Sequence, residues 1–255
     1  MRLLRNIALF SIVTTFFACS GLRKIEDKTE VKIEDKNLET IVKVTTSEGD
    51  MYIELSDKAP KHKANFIKLA KEGFYDSLLF HRVMKGFMIQ GGDPWSKTSR
   101  AGTPLGNGGP GYTIPALFDS TLYHKKGALA AARQPDNINP KKESSGSQFY
   151  IVQGKIFSES EIMLYEKGIK RRIPNFKFTQ EQIEAYTTVG GTPQLDQLYT
   201  VYGQVIKGMQ TIDNIANLPV DKRNRPKVNL RIKMEVLKMT AKEKEKLLEV
   251  DSIKE

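Results

Sequence analysis

Cysteine occurs once in the 255 residues, at Cys19, so the chain closes no disulfide on itself and builds no multi-cysteine metal site. Histidine occurs three times, at His62, His81 and His124, without a metal-ligand spacing such as H-E-x-x-H. No G-x-S-x-G elbow is present, and Ser147 in "SSGSQF" imitates a nucleophile only if the fold brings a base to it. The apolar run "IALFSIVTTFFAC", ending at Cys19, is too short to cross about 30 Å of hydrocarbon as a helix. The formal net charge is +10, yet basic residues do not interleave with aromatics, so a nucleic-acid partner is not expected. The charge reads as solubility with some attraction to anionic lipid.

What is present begins with targeting. Arg2 and Arg5 precede the apolar run, which ends Ala18-Cys19-Ser20-Gly21. That arrangement resembles a bacterial lipoprotein signal. It implies a signal peptide over 1–18, an acylated Cys19 that anchors the chain to a membrane, and a place in the cell envelope on the periplasmic side. Residues 19–40, with "RKIEDKTEVKIEDKN", are rich in mixed charge and read as a flexible linker. As a coil of about twenty residues it would reach roughly 25 Å.

Residues 41–240 read as one β-rich domain, and 241–255 as a charged tail. The stretch "TIVKVTTSEGDMYIELSD" is two alternating strands around a turn. A helix opens at Pro60, buries Phe66, Leu69 and Ala70, and ends near Gly73. Strands follow at "GALAAAR", "SQFYIV", "LYTVYGQV" and "NLRIKMEV", with a helix from Met209 to about Ala216. Between Lys155 and Gly191 the pattern turns helical, with capping boxes at Ser158-x-x-Glu161 and Thr179-x-x-Gln182, so 155–191 reads as a helical insertion.

Gly106-Asn-Gly108-Gly-Pro-Gly111 matches G-x-G-x-x-G, but a dinucleotide loop needs a helix directly after it, and "YTIP" follows here. A tight surface loop is the better reading. His81 is expected to make structural hydrogen bonds. More informative is "FHRVMKGFMIQGGD", in which Arg82 and Gln90 stand among Phe87, Met88 and Ile89 with no carboxylate, cysteine or second histidine beside them. Gly91-Gly92 permit close backbone approach, so the stretch reads as an apolar shelf with two hydrogen-bonding heads, fit for an extended peptide.

That stretch resembles the signature of the cyclophilins, the peptidyl-prolyl cis-trans isomerases. The similarity extends through "TTSEGDMYIELSDKAPKHKANFIKLA", "GALAAAR", "SGSQFYIV" and "LDQLYTVYGQVIKGM". The resemblance implies a closed eight-stranded antiparallel barrel capped by two helices, with the substrate groove on its outer face. It implies Arg82 as the catalytic arginine and Gln90 as the glutamine that helps hold the substrate backbone. Phe87, Met88 and Leu195 match the proline pocket, while Ala132 and the backbone of Arg133 match the strand along which the peptide lies. Tyr150 stands where phenylalanine is common and Tyr199 where histidine is common, each adding a hydroxyl that could narrow the pocket.

The implied partners are proline-containing unfolded or extended polypeptides, and a monomer is expected. Rotation about an X-Pro bond breaks no covalent bond, so no metal or cofactor is expected. A different class of function stays open at this point: a non-catalytic lipoprotein that uses the groove or the insertion to hold one partner.

Overall fold

The computed structural model of the chain describes residues 38–100 and 102–249. The signal segment 1–18, Cys19 and nearly all of the linker lie outside the described residues. In chain order, β1 (Glu39–Thr46) and β2 (Gly49–Leu55) form a hairpin, followed by α1 (Pro60–Lys71), β3 (Arg82–Met84) and β4 (Met88–Gly91). Next come β5 (Thr113–Ile114), β6 (Ala128–Ala131), β7 (Ser144–Ser145) and β8 (Phe149–Val152). Helices α2 (Glu159–Lys170) and α3 (Gln180–Thr188) precede β9 (Val201–Lys207), α4 (Met209–Ala216), β10 (Lys233–Met239) and α5 (Ala241–Glu249).

Eight strands join in the order β10-β1-β2-β9-β6-β8-β4-β3, each pair antiparallel, while β5 and β7 form a separate two-stranded piece. The sheet is curled but open, which corrects the closed barrel expected from the resemblance. β3 and β10 end the order without pairing to each other. Their free edges have other partners: the Val83 N–H donates to the Asn224 carbonyl at 2.7 Å, and the Met234 N–H to the Asp76 carboxylate at 3.0 Å. Only the segments leading into these strands meet, at a Leu79–Arg231 bridge where Ser77 N–H reaches Ile232 O at 2.8 Å and Phe80 N–H reaches Leu230 O at 3.0 Å.

Period-two alternation divides the strands between two cores. Ile89 on β4, Leu129 and Ala131 on β6, and Phe149 and Ile151 on β8 face the concave side, where α1 adds Phe66, Leu69 and Ala70 and α4 adds Ile212 and Ile215. Phe149 meets Phe66, Tyr75 and Phe80 edge-on, with ring centroids 5.5, 5.6 and 6.0 Å apart. Met88, Ala128, Ala130, Tyr150 and Val152 face the other side and form a second, smaller cluster with Val201. Both faces of β6 and β8 are therefore covered, which explains why all four residues of each strand are buried.

The chain from Lys155 to Gly191 leaves and rejoins the sheet at one place: Gly191 N–H donates to Lys155 O at 3.0 Å. Both capping boxes form, Ser158 with Glu161 and Thr179 with Gln182, satisfying N–H groups that the first turns of α2 and α3 leave open. The segment has a core of its own in Phe157, Ile162, Ile169, Phe176, Phe178 and Tyr186, which also takes in Tyr123.

Candidate active site

Register sets the polar part of the site. Arg82 and Gln90 are direct cross-strand partners on β3 and β4, so their side chains leave the same face of the hairpin. The Arg82 guanidinium donates to Gln90 Oε1 at 3.1 Å and lies 3.0 Å from Met84 Sδ. Gln90 Nε2 donates to Gln148 Oε1 at 3.1 Å, and Gln148 Nε2 donates to the carbonyls of Gly106 and Gly108 at 2.9 and 2.7 Å. The two carbonyls can only accept, which fixes the amide of Gln148, then that of Gln90, and turns Gln90 Oε1 toward Arg82. The two contacts leave the guanidinium with N–H donors to spare, since it carries five.

The apolar part lies on the convex face and is assembled from β4, β8, the end of β6 and the segment before β9. Phe87, Met88, Ala132, Arg133, Tyr150, Leu195 and Tyr199 line, together with Arg82 and Gln90, one groove of about 320 Å³. Every groove position named from sequence is thus brought to one place; Cys19 lies outside the described residues. Met88 and Tyr150 form the buried floor, and Phe87, Leu195 and Tyr199 stand half-buried around it. The Tyr150 hydroxyl reaches the buried His124 Nε2 at 2.9 Å, and the Tyr199 ring meets Tyr150 edge-on at 5.9 Å. Burial pushes the Tyr150 phenol well above the ordinary tyrosine value. The Arg133 side chain does more than sequence suggested. Its guanidinium sits 4.5 Å from the Tyr199 ring centroid, donates to Leu198 O at 3.0 Å and pairs with Asp136 at 2.5 Å, holding that carboxyl below the usual range.

Several contributors were not foreseen. The glycine loop forms a wall of the groove, and no helix follows it; Asp93, fully buried, holds it by accepting the Gly106 N–H at 2.5 Å. Gln148 sits one residue from Ser147 and carried a readable signal, a glutamine entering a buried strand. Asp221, Arg223 and Arg225 close the far rim. Arg225 is held by the carbonyls of Arg100 and Thr103 at 3.2 and 3.0 Å. His81 departs from the expectation of structural hydrogen bonds: it is buried, and among the described residues neither ring nitrogen makes a hydrogen bond of ordinary geometry, although the Leu79 backbone stands close enough to favour its charged form. Burial lowers its pKa to about 4, so the ring is neutral beside Arg82. Among the described residues no three His, Cys, Asp or Glu side chains converge as a metal-ligand set.

The outer face of the curled antiparallel sheet thus carries an arginine and a glutamine above an apolar groove. The model of the family described as Cyclophilin type peptidyl-prolyl cis-trans isomerase/CLD matches residues 41–236. A Staphylococcus epidermidis protein whose name assigns it as a peptidyl-prolyl cis-trans isomerase is 37% identical over 199 residues, covering 76% of this chain and 89% of that protein. A Staphylococcus aureus protein of the same name is 38% identical over 185 residues, covering 71% and 83%. Among solved structures, a Cryptosporidium parvum cyclophilin type peptidyl-prolyl cis-trans isomerase aligns with TM-score 0.54 at 26% identity, covering 78% of this chain and 98% of that one. A second crystal structure of it was obtained in the presence of the dipeptide Ala-Pro. The chain belongs to the cyclophilin-type peptidyl-prolyl cis-trans isomerase family, and its activity is the cis-trans isomerisation of peptidyl-prolyl bonds.

Proposed function

We propose that Arg82 catalyses this isomerisation by donating to the proline nitrogen while Gln90 and the strand backbone at Ala132 and Arg133 hold the peptide. An X-Pro bond resists rotation because amide resonance is lost in the twisted state, a barrier of about 18 to 20 kcal/mol. As resonance fades, the proline nitrogen regains a lone pair and becomes an acceptor for the guanidinium. That bond is stronger in the twisted state than in either planar state, which is the condition for catalysis. The observation that carries the reading is the juxtaposition: Arg82 and Gln90 paired across β3 and β4 at the mouth of a groove floored by Met88 and Tyr150.

A charged hydrogen bond contributes about 1.5 to 3 kcal/mol. Shortening an event of tens of seconds to milliseconds requires about four decades, or roughly 5.5 kcal/mol. The remainder falls to Phe87, Met88, Tyr150, Leu195 and Tyr199, whose apolar surroundings disfavour the planar amide's dipole, and to the anchoring of one side of the peptide while the other turns. A protease-coupled assay on an Ala-Pro peptide tests the assignment. A guanidinium keeps its charge throughout, so turnover is expected to be flat from about pH 6 to about pH 9. A steep single-proton transition in that window would assign the chemistry to another group.

The proposed setting is the bacterial cell envelope, where the enzyme, held by acylated Cys19 and a linker over 19–40, assists the folding of exported proteins. Support comes from the apolar run that ends on Ala18-Cys19 and from the mixed charge that follows. In a bacterial host the chain is expected in the membrane fraction with lipid mass on Cys19, and Cys19→Ser in the soluble fraction. Equal membrane recovery of both would contradict the anchor.

A further inference from the structure

Between α3 and the groove runs a chain of buried polar side chains that the isomerisation itself leaves without a task. Three donors converge on Asp196: His124 Nδ1 at 2.6 Å and the His124 backbone N–H at 2.9 Å on one oxygen, and the Tyr186 hydroxyl at 2.5 Å on the other. His124 Nε2 lies 2.9 Å from the Tyr150 hydroxyl, and the ring's tautomer sets which of the two donates. All four side chains are buried, His124 and Tyr186 completely. The Tyr150 and His124 rings lie nearly parallel, centroids 6.0 Å apart with a 12° interplanar angle, and Tyr150 also meets the Tyr199 ring edge to face.

The far end of this chain belongs to the 155–191 segment. The Tyr186 ring is packed edge-on against Phe178 and Tyr123 at 5.7 Å each, within that segment's own apolar core. We infer that the segment is a positioning element for the proline pocket: Tyr186, Asp196 and His124 act in series to hold the Tyr150 hydroxyl on His124 and thereby set the wall on which Tyr199 rests. Tyr186, Asp196 and His124 are positioning residues that do not meet the peptide. The inference rests on the groove being the substrate site.

The test is a double-mutant cycle on kcat and KM for an Ala-Pro peptide, with Tyr186→Phe and Tyr150→Phe singly and together. Tyr186→Phe is expected to lower kcat/KM about three- to ten-fold, mainly through KM, when Tyr150 is present, the size of one lost hydrogen bond. In the Tyr150→Phe background the same change is expected to cost less than about two-fold, because no hydroxyl remains to be misplaced. Equal losses in the two backgrounds would overturn the coupling. Imidazole nitrogen NMR of the native chain reads the relay independently of activity: the His124 Nε2 signal is expected to move in Tyr150→Phe. An Nε2 signal indifferent to Tyr150→Phe would also overturn it. Absence of turnover in the native enzyme, with the nitrogen signals as expected, would instead count against the groove assignment beneath it.

Discussion

Acidification from about pH 7.5 to about pH 5 is expected to destabilise the fold well before carboxylates contribute, because His62 and His81 are both buried and uncharged. Burial lowers each pKa from 6.5 to about 4; His62 keeps one hydrogen bond, Nε2 to Ser144 Oγ at 2.9 Å, and His81 has none of ordinary geometry, with only the Leu79 backbone near its ring. The unfolded chain takes up protons near pH 6.5 while the folded chain does not until about pH 4, so stability is full above that window and falls as pH drops through it. At about pH 5 each histidine accounts for roughly 2 kcal/mol, and the pair for roughly 4 kcal/mol, against a usual domain stability of about 5 to 15 kcal/mol. Urea unfolding followed by circular dichroism at the two pH values measures it, as a lower midpoint with an unchanged slope. His81→Leu gives up at most a weak contact with the Leu79 backbone and is expected to roughly halve the pH dependence. An undiminished pH dependence in His81→Leu, or no fall in midpoint in the native chain, would refute the reasoning.

Two further substitutions probe what holds the groove in shape. Gln148→Ala removes the amide that ties Gln90 to the Gly106 and Gly108 carbonyls; peptide KM is expected to rise about five- to ten-fold, and an unchanged KM would deny that the loop is a wall of the site. Gly92 has φ +89°, and a Cβ there would collide with the Ser147 carbonyl and approach Gln148 Cα to 2.9 Å. Gly92→Ala is therefore expected to cost about 2 kcal/mol or more, read as a fall of several degrees in Tm; a Tm within about 1 °C of the parent would contradict the geometry.

The local signals carried the elements well. Pro60 does open α1 and the two capping boxes do form, while the uniformly apolar "FYIV" announces a strand but not which of its residues face which side; the structure turns Phe149 inward and Tyr150 outward. The groove positions come from the resemblance, not from register; the structure pairs Arg82 and Gln90, eight residues apart on one hairpin, directly across β3 and β4. What depended on distant chain was not legible. The opening between β3 and β10 follows from Asn224 and Asp76 capturing edge N–H groups, which no pattern within either strand announces. His81 looked like any strand histidine, and its burial without a well-formed ring hydrogen bond depends on distant chain. Tyr150 looked like a pocket constriction, whereas its hydroxyl is engaged by His124, a residue whose sequence neighbourhood gives no hint of the meeting.

The central claim, that Arg82 acts on the twisting bond rather than on binding, is tested most directly by exchange NMR on an Ala-Pro peptide saturating the native enzyme and Arg82→Ala. The account predicts that interconversion of the bound peptide slows by about ten- to a hundred-fold, the equivalent of the charged hydrogen bond, while Kd changes by less than about three-fold. A Kd that rises by as much as the rate falls, or a bound-state rate that Arg82→Ala leaves unchanged, would contradict it.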